Sequence, residues 1–178
     1  LGGDLVGLFT LEGLVFESSD ADQNDLVLGQ TSFANTTPTF LLQVPEGYFA
    51  IPIIVSLGQG GTVAGAVITV VGEILSGVEA YSSGGTEEKV YPSGGLIPTG
   101  TEQARCVLYS NPTAVANYGI RNYYQQVAQD IAPAEGIPNE LLVTTSGLKI
   151  IKGPGAWKIF TYAATTGPSW GWTVGWLE

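Results

Sequence analysis

The sequence predicts an all-β, jelly-roll-like antiparallel β-sandwich with at most one short helix. Its 25 glycines and 10 prolines are spread over the whole of the 178 residues. They separate short runs rich in Val, Ile, Thr and aromatic residues, the composition typical of strands. Roughly nine such runs are what a β-sandwich or jelly roll requires. The length fits a single domain spanning residues 1–178.

The predicted elements follow from where each apolar run meets a turn. Turns are expected at Pro45-Glu46-Gly47 and at Gln59-Gly60-Gly61. Exposed loops are expected over the acidic residues 18–35 and over the Gly- and Ser-rich residues 82–100. The predicted strands cover residues 5–10, 13–16, 39–44, 48–57, 62–75, 105–109, 141–145, 149–151, 156–164 and 170–177.

One segment has a helical pattern. Tyr123, Val127 and Ile131 recur at four-residue spacing within residues 118–131, and Pro133 follows. This spacing predicts a short helix, because residues four apart share one helix face. A long loop with one helical turn is the alternative that the pattern leaves open.

Two predicted strands are apolar on both faces. Residues 51–55 and 67–71 hardly alternate between apolar and polar side chains. Such runs are typical of strands covered on both sides. Either a neighbouring subunit or a loop of the same chain would provide the second cover, and the sequence favours neither.

Composition excludes several classes of function. Six basic residues stand against sixteen acidic ones, for a net charge of −10, which disfavours binding of nucleic acid. The sequence has no histidine, so catalytic triads and metal sites that depend on histidine are excluded. Cys106 is the single cysteine, so no disulfide forms within the chain and a buried, inert thiol is expected. We expect neither an enzyme nor a cofactor.

The apolar stretches indicate a soluble chain. The sequence contains no methionine and begins at Leu1, so we expect an N-terminus that was processed or not read. The most apolar stretch, residues 63–75, contains Gly65, Gly72 and Glu73. It is shorter than the ~20 residues that a membrane helix needs, so no membrane partner is expected.

The densest group of carboxylates is a candidate calcium site. Asp20, Asp22 and Asp25 lie in one short loop, and Ca²⁺ takes several oxygen ligands from such loops. The spacing does not match an EF-hand, because Asp25 and Thr31 stand where that loop needs glycine and glutamate. A solvated acidic loop is the favoured interpretation, and calcium is the alternative.

Paired carboxylates would allow glycoside hydrolysis. Glu12, Glu17 and Glu73 are candidates because they lie at or beside predicted strands. The chemistry needs two carboxyl groups about 5–9 Å apart, and nothing in the sequence brings any two together. Scattered acids that keep the protein soluble are the favoured interpretation.

The last predicted strand carries three large rings. Trp170, Trp172 and Trp176 share one face, and Gly171 and Gly175 share the other. Such rings pack in a core, stack on sugars or anchor interfaces. We expect one or two in the core and at least one in a contact between subunits, with another backbone or ring close to the glycines.

A short motif concerns modification. Asn35-Thr36-Thr37 matches the sequon for N-glycosylation. Such triplets arise often by chance, so this one gives little support to secretion.

Two segments together carry a resemblance to a known class of protein. Residues 43–55 run from a Val44-Pro45-Glu46-Gly47 turn into a strand with Ile51-Pro52, and residues 153–178 run from Gly153-Pro154-Gly155 to Trp176-Leu177-Glu178. This arrangement resembles small β-sandwich structural proteins of bacteriophage virions. The resemblance implies a jelly-roll-like subunit that forms or decorates a capsid, with no catalytic residue to carry over.

The sequence therefore predicts a virion structural protein. Its expected partners are copies of itself, in a homo-oligomer, and other virion proteins, without direct contact with nucleic acid. Its expected location is the capsid of a phage or virus. The alternatives are a secreted carbohydrate-binding module that uses Trp170 and Trp172, and a glycosidase that uses a pair of glutamates.

Overall fold

The computed structural model describes residues 7, 9–10, 12–20, 26–60, 66–93, 104–129, 140–144 and 149–178. Helical backbone within these ranges occurs only at residues 7, 9 and 10. The ranges contain fifteen strands: β1 (Val15–Ser19), β2 (Val27–Leu28), β3 (Phe40–Val44), β4 (Phe49–Gln59), β5 (Ala66–Ser76), β6 (Tyr81–Ser83), β7 (Thr86–Glu87), β8 (Tyr91–Pro92), β9 (Val107–Ser110), β10 (Thr113–Ala114), β11 (Ile120–Gln129), β12 (Glu140–Thr144), β13 (Ile151–Lys152), β14 (Gly155–Tyr162) and β15 (Ser169–Leu177).

The strands form two main antiparallel sheets. The first sheet has the order β12-β4-β15-β1-β8, with β13 beside β4 and β2 beside β15. The second sheet has the order β11-β5-β14-β3-β9-β7. Strands β10 and β6 form a separate two-stranded ribbon. All of these strand pairs are antiparallel, so the predicted sandwich is confirmed.

Eight of these strands have the order of a jelly roll. The first sheet contributes β1-β15-β4-β12 and the second contributes β3-β14-β5-β11. Along the chain, β1, β3, β4 and β5 alternate between the sheets, and so do β12, β14 and β15. Two Greek keys wound into two four-stranded sheets define the jelly roll. The predicted fold class is therefore confirmed at the level of topology.

The main core lies between the two sheets. Alternate residues of β3 and β14 point into it, including Leu42 and Val44 from β3 and Trp157 from β14. The first sheet meets them across the gap, where the rings of Trp172 and Phe40 lie 4.9 Å apart. Burial of this apolar area is the main force that holds the sheets together.

The second sheet is covered on its outer face as well. Thr69, Val71 and Glu73 of β5 point away from the main core and are nevertheless buried. A second, smaller cluster covers another part of this face, where Leu41 and Ala156 of the sheet pack with side chains from the segment between β5 and β11. The chain itself therefore covers residues 69–71 of the run 67–71, whereas Val67 on the same face is 47% exposed.

The run 51–55 is different, because it belongs to the first sheet. Val55 is buried, whereas Ile51, Ile53 and Ile54 are half-buried. Its pairing with β15 shifts register between Gly175 and Trp176. Ile54 pairs with Gly175 and Pro52 pairs with Trp176, so Ile53 is an extra residue in β4. Such a bulge disturbs the alternation of faces that a regular strand shows.

The predicted helix over residues 118–131 is wrong. Residues 120–129 form β11, which pairs with β5 along its whole length. Residues four apart share a face in a strand as well as in a helix, because the strand period is two. The β-branched and aromatic residues Ile120, Tyr123 and Tyr124 favour the strand.

Most of the other predicted strands are confirmed, with ends displaced by a few residues. The predicted strand over residues 5–10 is wrong, because residues 7, 9 and 10 are helical. The two predicted loops are interrupted by the short strands β2, β7 and β8. No helix in the described part of the chain is long and apolar enough to cross a membrane.

Candidate functional site

All three tryptophans of β15 are buried within the single chain. The exposed fractions of Trp170, Trp172 and Trp176 are 2%, 6% and 0%. The indole of Trp170 donates a hydrogen bond to Thr161 Oγ1 at 2.9 Å. The indole of Trp176 donates to Glu178 Oε1 at 3.1 Å. Both polar ends therefore have partners inside the fold, as buried indoles usually do.

This burial removes the surplus of exposed aromatic area on which the expected contact with another subunit rested, and the contact itself stays a prediction. Strand β15 lies between β4 and β1, and its tryptophan-bearing face points into the sandwich. Neither Trp170 nor Trp172 presents an exposed ring face on which a sugar would stack, although Trp172 lines part of a cavity of about 370 Å³. A Cβ atom on Gly175 would meet the side chain of Ile54 at 2.9 Å, so the close neighbour of this glycine is a side chain of the same sheet. Assembly of subunits itself stays a prediction.

The acidic loop is only partly described. Asp22 and Asp25 lie outside the described residues, and Asp20 follows directly after β1. Asp20 lines a cavity of about 370 Å³ together with Glu87 and Glu88. Within the described ranges, no group of three or more candidate ligands is arranged to hold a metal ion. The calcium alternative through Asp20, Asp22 and Asp25 stays a prediction.

The candidate glutamates lie in separate places. Glu17 pairs with Gly175 in the first sheet, whereas Glu73 lies in the second sheet on its outer face. Glu12 lines a different cavity of about 380 Å³, which also contains Glu178. The structure does not bring Glu73 together with either of the other two candidates.

A buried polar cluster, which sequence reasoning missed, lies on the outer face of the second sheet. We call Lys158, Glu73 and Asn35 the lysine cluster. Lys158 and Glu73 are directly paired neighbours on β14 and β5. Their charged groups lie 3.6 Å apart, and the side chains are 0% and 5% exposed. Lys158 Nζ donates to Asn35 Oδ1 at 2.6 Å and to the backbone oxygen of Asn117 at 2.7 Å.

Apolar side chains border Lys158 beyond these polar partners. Leu41 is its neighbour on β3, and the ring centroid of Phe160 lies 5.4 Å from Nζ. Phe33, from the same loop as Asn35, packs on Phe160 with ring centroids 5.0 Å apart. Burial lowers the pKa of Lys158 below its usual value, and the charge of Glu73 opposes part of that shift.

Two atoms of the lysine cluster lack hydrogen bonds. Glu73 Oε2 and Asn35 Nδ2 are both buried, and neither has a hydrogen-bond partner in the described part of the chain. Buried polar groups are usually satisfied, so this pair requires an explanation. The burial of Nδ2 also closes the atom that a glycan on the Asn35 sequon would use.

The sequence contains one signal that points to this cluster. Lys158 stands between Trp157 and Ile159 in a run that reads as a buried strand. A lysine is seldom fully buried unless it is paired, so this position predicts a buried acidic or polar partner for Lys158. Nothing in the sequence shows that Asn35 and Glu73 provide it, because they are 123 and 85 residues away from Lys158 and meet it only through the sheet order.

Cys106 is buried, as predicted. Burial raises the pKa of its thiol far above the usual value, and the nearby charge of Glu178 raises it further. A thiol in this state is a poor nucleophile. It supports no catalytic role for Cys106.

Exposed apolar side chains gather beside β11. Tyr118 and Ile120 are 82% and 78% exposed, although both are large apolar residues. With Ile150 and Val78 they line a groove of about 750 Å³, which we call the β11 groove. Within the described residues, β11 pairs only with β5, so its other side is an open edge.

Comparisons with known proteins return no relative. No family model, no curated protein and no solved structure matches this chain.

Proposed function

We propose that this chain is a virion structural protein that forms or decorates a capsid through contacts between its own copies. The observation that carries the proposal is a jelly-roll sandwich with a long strand, β11, open along one edge in the described part of the chain. The proposal has two parts: that copies of the chain assemble, and that the assembly belongs to a virion.

The strand order supports the second part. Jelly rolls of eight strands and two Greek keys are found in viral capsid proteins, and also in lectins and cupins. This is an argument from fold, which by itself does not fix function. Among these classes, a sugar site on Trp170 and Trp172 is disfavoured because both rings are buried.

The open edge supports the first part. Strand β11 is ten residues long, contains neither glycine nor proline, and carries a single charge, at Arg121. Soluble proteins usually protect such an edge with charges, prolines or a covering segment, because unpaired backbone groups invite another strand. The β11 groove adds exposed apolar area at the start of the same strand.

The charge of the chain decides where copies can meet. At a net charge of −10, identical subunits repel one another over most of their surface. Strand β11 carries no acidic residue, so pairing there brings no carboxylates together. If two copies of β11 pair in antiparallel fashion about a twofold axis between Tyr124 and Gln125, the two Arg121 side chains also stay apart.

The test is the oligomeric state of the chain and of two edge variants, Tyr124→Pro and Gln125→Pro. Backbone N–H groups of adjacent strand residues point alternately to β5 and to the open edge. One proline therefore removes a backbone hydrogen bond to β5, and the other removes only an N–H group that faces the open edge. We expect light scattering to show an assembly for the natural chain, strengthened by salt because repulsion is screened.

The variant whose thermal unfolding matches that of the natural chain is the informative one. We expect it to be smaller in light scattering than the natural chain. If it assembles to the same extent, β11 is not the contact. If the natural chain stays monomeric at high protein and salt concentration and electron microscopy shows no regular particles, the proposed function is wrong.

A further inference from the structure

We propose that the side chains of Lys158 and Asn35 become joined by an amide bond that the chain forms on itself, with Glu73 transferring the protons. The site is the lysine cluster, on the outer face of the second sheet. The proposal is independent of the virion role, because it rests only on the geometry of three side chains.

The first argument is position. Lys158 Nζ lies 2.6 Å from Oδ1 of Asn35, so the nitrogen is beside the carboxamide carbon that it would attack. Glu73 lies 3.6 Å from the same Nζ atom. An amine, an amide and a carboxylate held together in this way have the proximity that converts a slow reaction between molecules into a fast one within a molecule.

The second argument is the environment. Lys158 is fully buried, and Glu73 is nearly so, beside Leu41 and the ring of Phe160. Burial disfavours the charged form of the Lys158 amine, and it excludes the water that would compete for the amide. The same burial would be a plain cost if the cluster were only an ion pair, since desolvation offsets most of the Coulomb attraction.

The third argument is the two unsatisfied atoms. Asn35 Nδ2 and Glu73 Oε2 have no hydrogen bond in the described part of the chain. The reaction accounts for both, because Nδ2 leaves as ammonia and Glu73 Oε2, which lies 3.6 Å from Nζ, takes the proton of the ammonium. After the reaction, neither the buried ammonium of Lys158 nor the buried amide NH₂ group of Asn35 remains.

The step balances without any further reagent. Glu73 removes a proton from the ammonium, and the neutral Nζ attacks Cγ of Asn35 to form a tetrahedral intermediate. A second proton moves from Nζ through Glu73 to Nδ2, the Cγ–Nδ2 bond breaks, and ammonia leaves. Nζ keeps one hydrogen in the new amide, and Glu73 ends protonated. The charged pair becomes neutral, and no oxidant or reductant is consumed.

The test is a tryptic digest of the natural chain, denatured and sequenced by tandem mass spectrometry. Trypsin does not cleave after an acylated lysine. We expect the peptide that contains Asn35 and ends at Lys89 to be joined to the peptide that begins at Gly153, with no cleavage after Lys158. The intact chain should be lighter than its sequence mass by one ammonia. A cyclised asparagine would also lose ammonia, but it would not join two peptides.

Two variants assign the roles. Lys158→Arg keeps a positive charge without the amine, and Glu73→Gln keeps the shape without the carboxylate. We expect both to have the full sequence mass and two separate peptides. Lys152→Arg and Glu17→Gln, which change the same residue types outside the cluster, should remain linked. Circular dichroism shows whether Glu73→Gln is folded, and Glu73→Asp serves as the second variant if it is not.

Separate peptides in the natural chain, with cleavage after Lys158, would overturn the proposal whatever the variants do. A linked peptide in folded Glu73→Gln, formed as completely as in the natural chain, would overturn the role of Glu73. Neither result depends on the oligomeric state, so the proposal can fail while the proposed function stands.

Discussion

The centre and the edge of the second sheet are treated in opposite ways by this chain. At the centre, β14 and β5 are covered on their outer face by the chain's own loop around Phe33, and even a lysine is buried there. At the edge, β11 is open in the described part of the chain, and both its first residue, Ile120, and the preceding Tyr118 are exposed.

The difference follows from what each surface needs. A sheet face is satisfied by apolar area, which a loop can supply from any part of the sequence. A sheet edge needs backbone donors and acceptors in register, which only another strand supplies well. The centre of this sheet is therefore satisfied within the chain, whereas the unpaired side of β11 still has backbone groups that another strand can bind.

The largest expected effect is at the centre, in Lys158→Met. Removing one partner of a buried pair leaves Glu73 uncompensated, which costs about 3–5 kcal/mol of unfolding free energy. Loss of an amide that closes a loop of 123 residues would cost about 5 kcal/mol in the chain-entropy estimate used for cross-links. Chemical denaturation measures the change, and the exposed Lys152→Met should stay within about 0.5 kcal/mol of the natural chain.

A double variant then separates the two explanations. In Lys158→Met with Glu73→Leu, both charges are replaced by apolar groups of similar size. For an ion pair, stability should return to that of the natural chain, because apolar replacements of buried pairs are often neutral. For a cross-link, the loss should persist. A loss below about 1 kcal/mol in Lys158→Met alone would contradict the idea that the centre is built around this lysine.

Only the covered centre of this contrast was visible in the sequence, because the edge strand was predicted as a helix. Spaced glycines and prolines predicted the sandwich, and the doubly apolar run 67–71 predicted a covered face. The cover itself comes from residues far away in the chain, so no local pattern identifies it. The four-residue spacing in 118–131 failed because strands and helices both place such residues on one face.

The candidate site shows the same limit. Three large rings on one strand predict a contact surface, yet the central position of β15 in its sheet buries all of them. The signal at Lys158 is incomplete, since a single lysine in an apolar run has no partner within its own segment. Sheet order decided both outcomes, and sheet order is the property that pairs residues about 100 positions apart.

The second prediction concerns the cover itself. Phe33→Ala removes the ring that packs on Phe160 and lies 5.9 Å from Tyr162. Because Phe33 is 37% exposed, we expect a loss of about 1–3 kcal/mol, less than for a fully buried phenylalanine. Thermal or chemical unfolding measures it. Tyr118→Ala, at the open edge, should change stability by less than about 0.5 kcal/mol while weakening assembly.

Equal losses of folding stability in Phe33→Ala and Tyr118→Ala would break the contrast, because the edge would then be as well packed as the centre. Exposure of Lys158 in the Phe33 variant is a further consequence. If amide formation depends on the apolar cover, the linked peptide should form more slowly in Phe33→Ala than in the natural chain.

The smallest expected effect is in the other part of the cover, where Tyr109 of β9 stacks on Tyr81 with ring centroids 4.1 Å apart. Burial raises the pKa of Tyr109 above its usual value, and the charge of Glu87 raises it further. Because the folded pKa exceeds the unfolded value of about 10, the unfolded chain loses the phenol proton first. The stability from this group is therefore complete below about pH 10 and is lost as the pH rises through the raised pKa.

Unfolding free energies measured across this range should fall less steeply in Tyr109→Phe than in the natural chain. Tyr118→Phe, which changes an exposed phenol, should leave the slope unaltered. If the two variants give the same slope, the stack between Tyr81 and Tyr109 does not bury its phenol, and the cover over this part of the sheet is looser than the cover around Phe33.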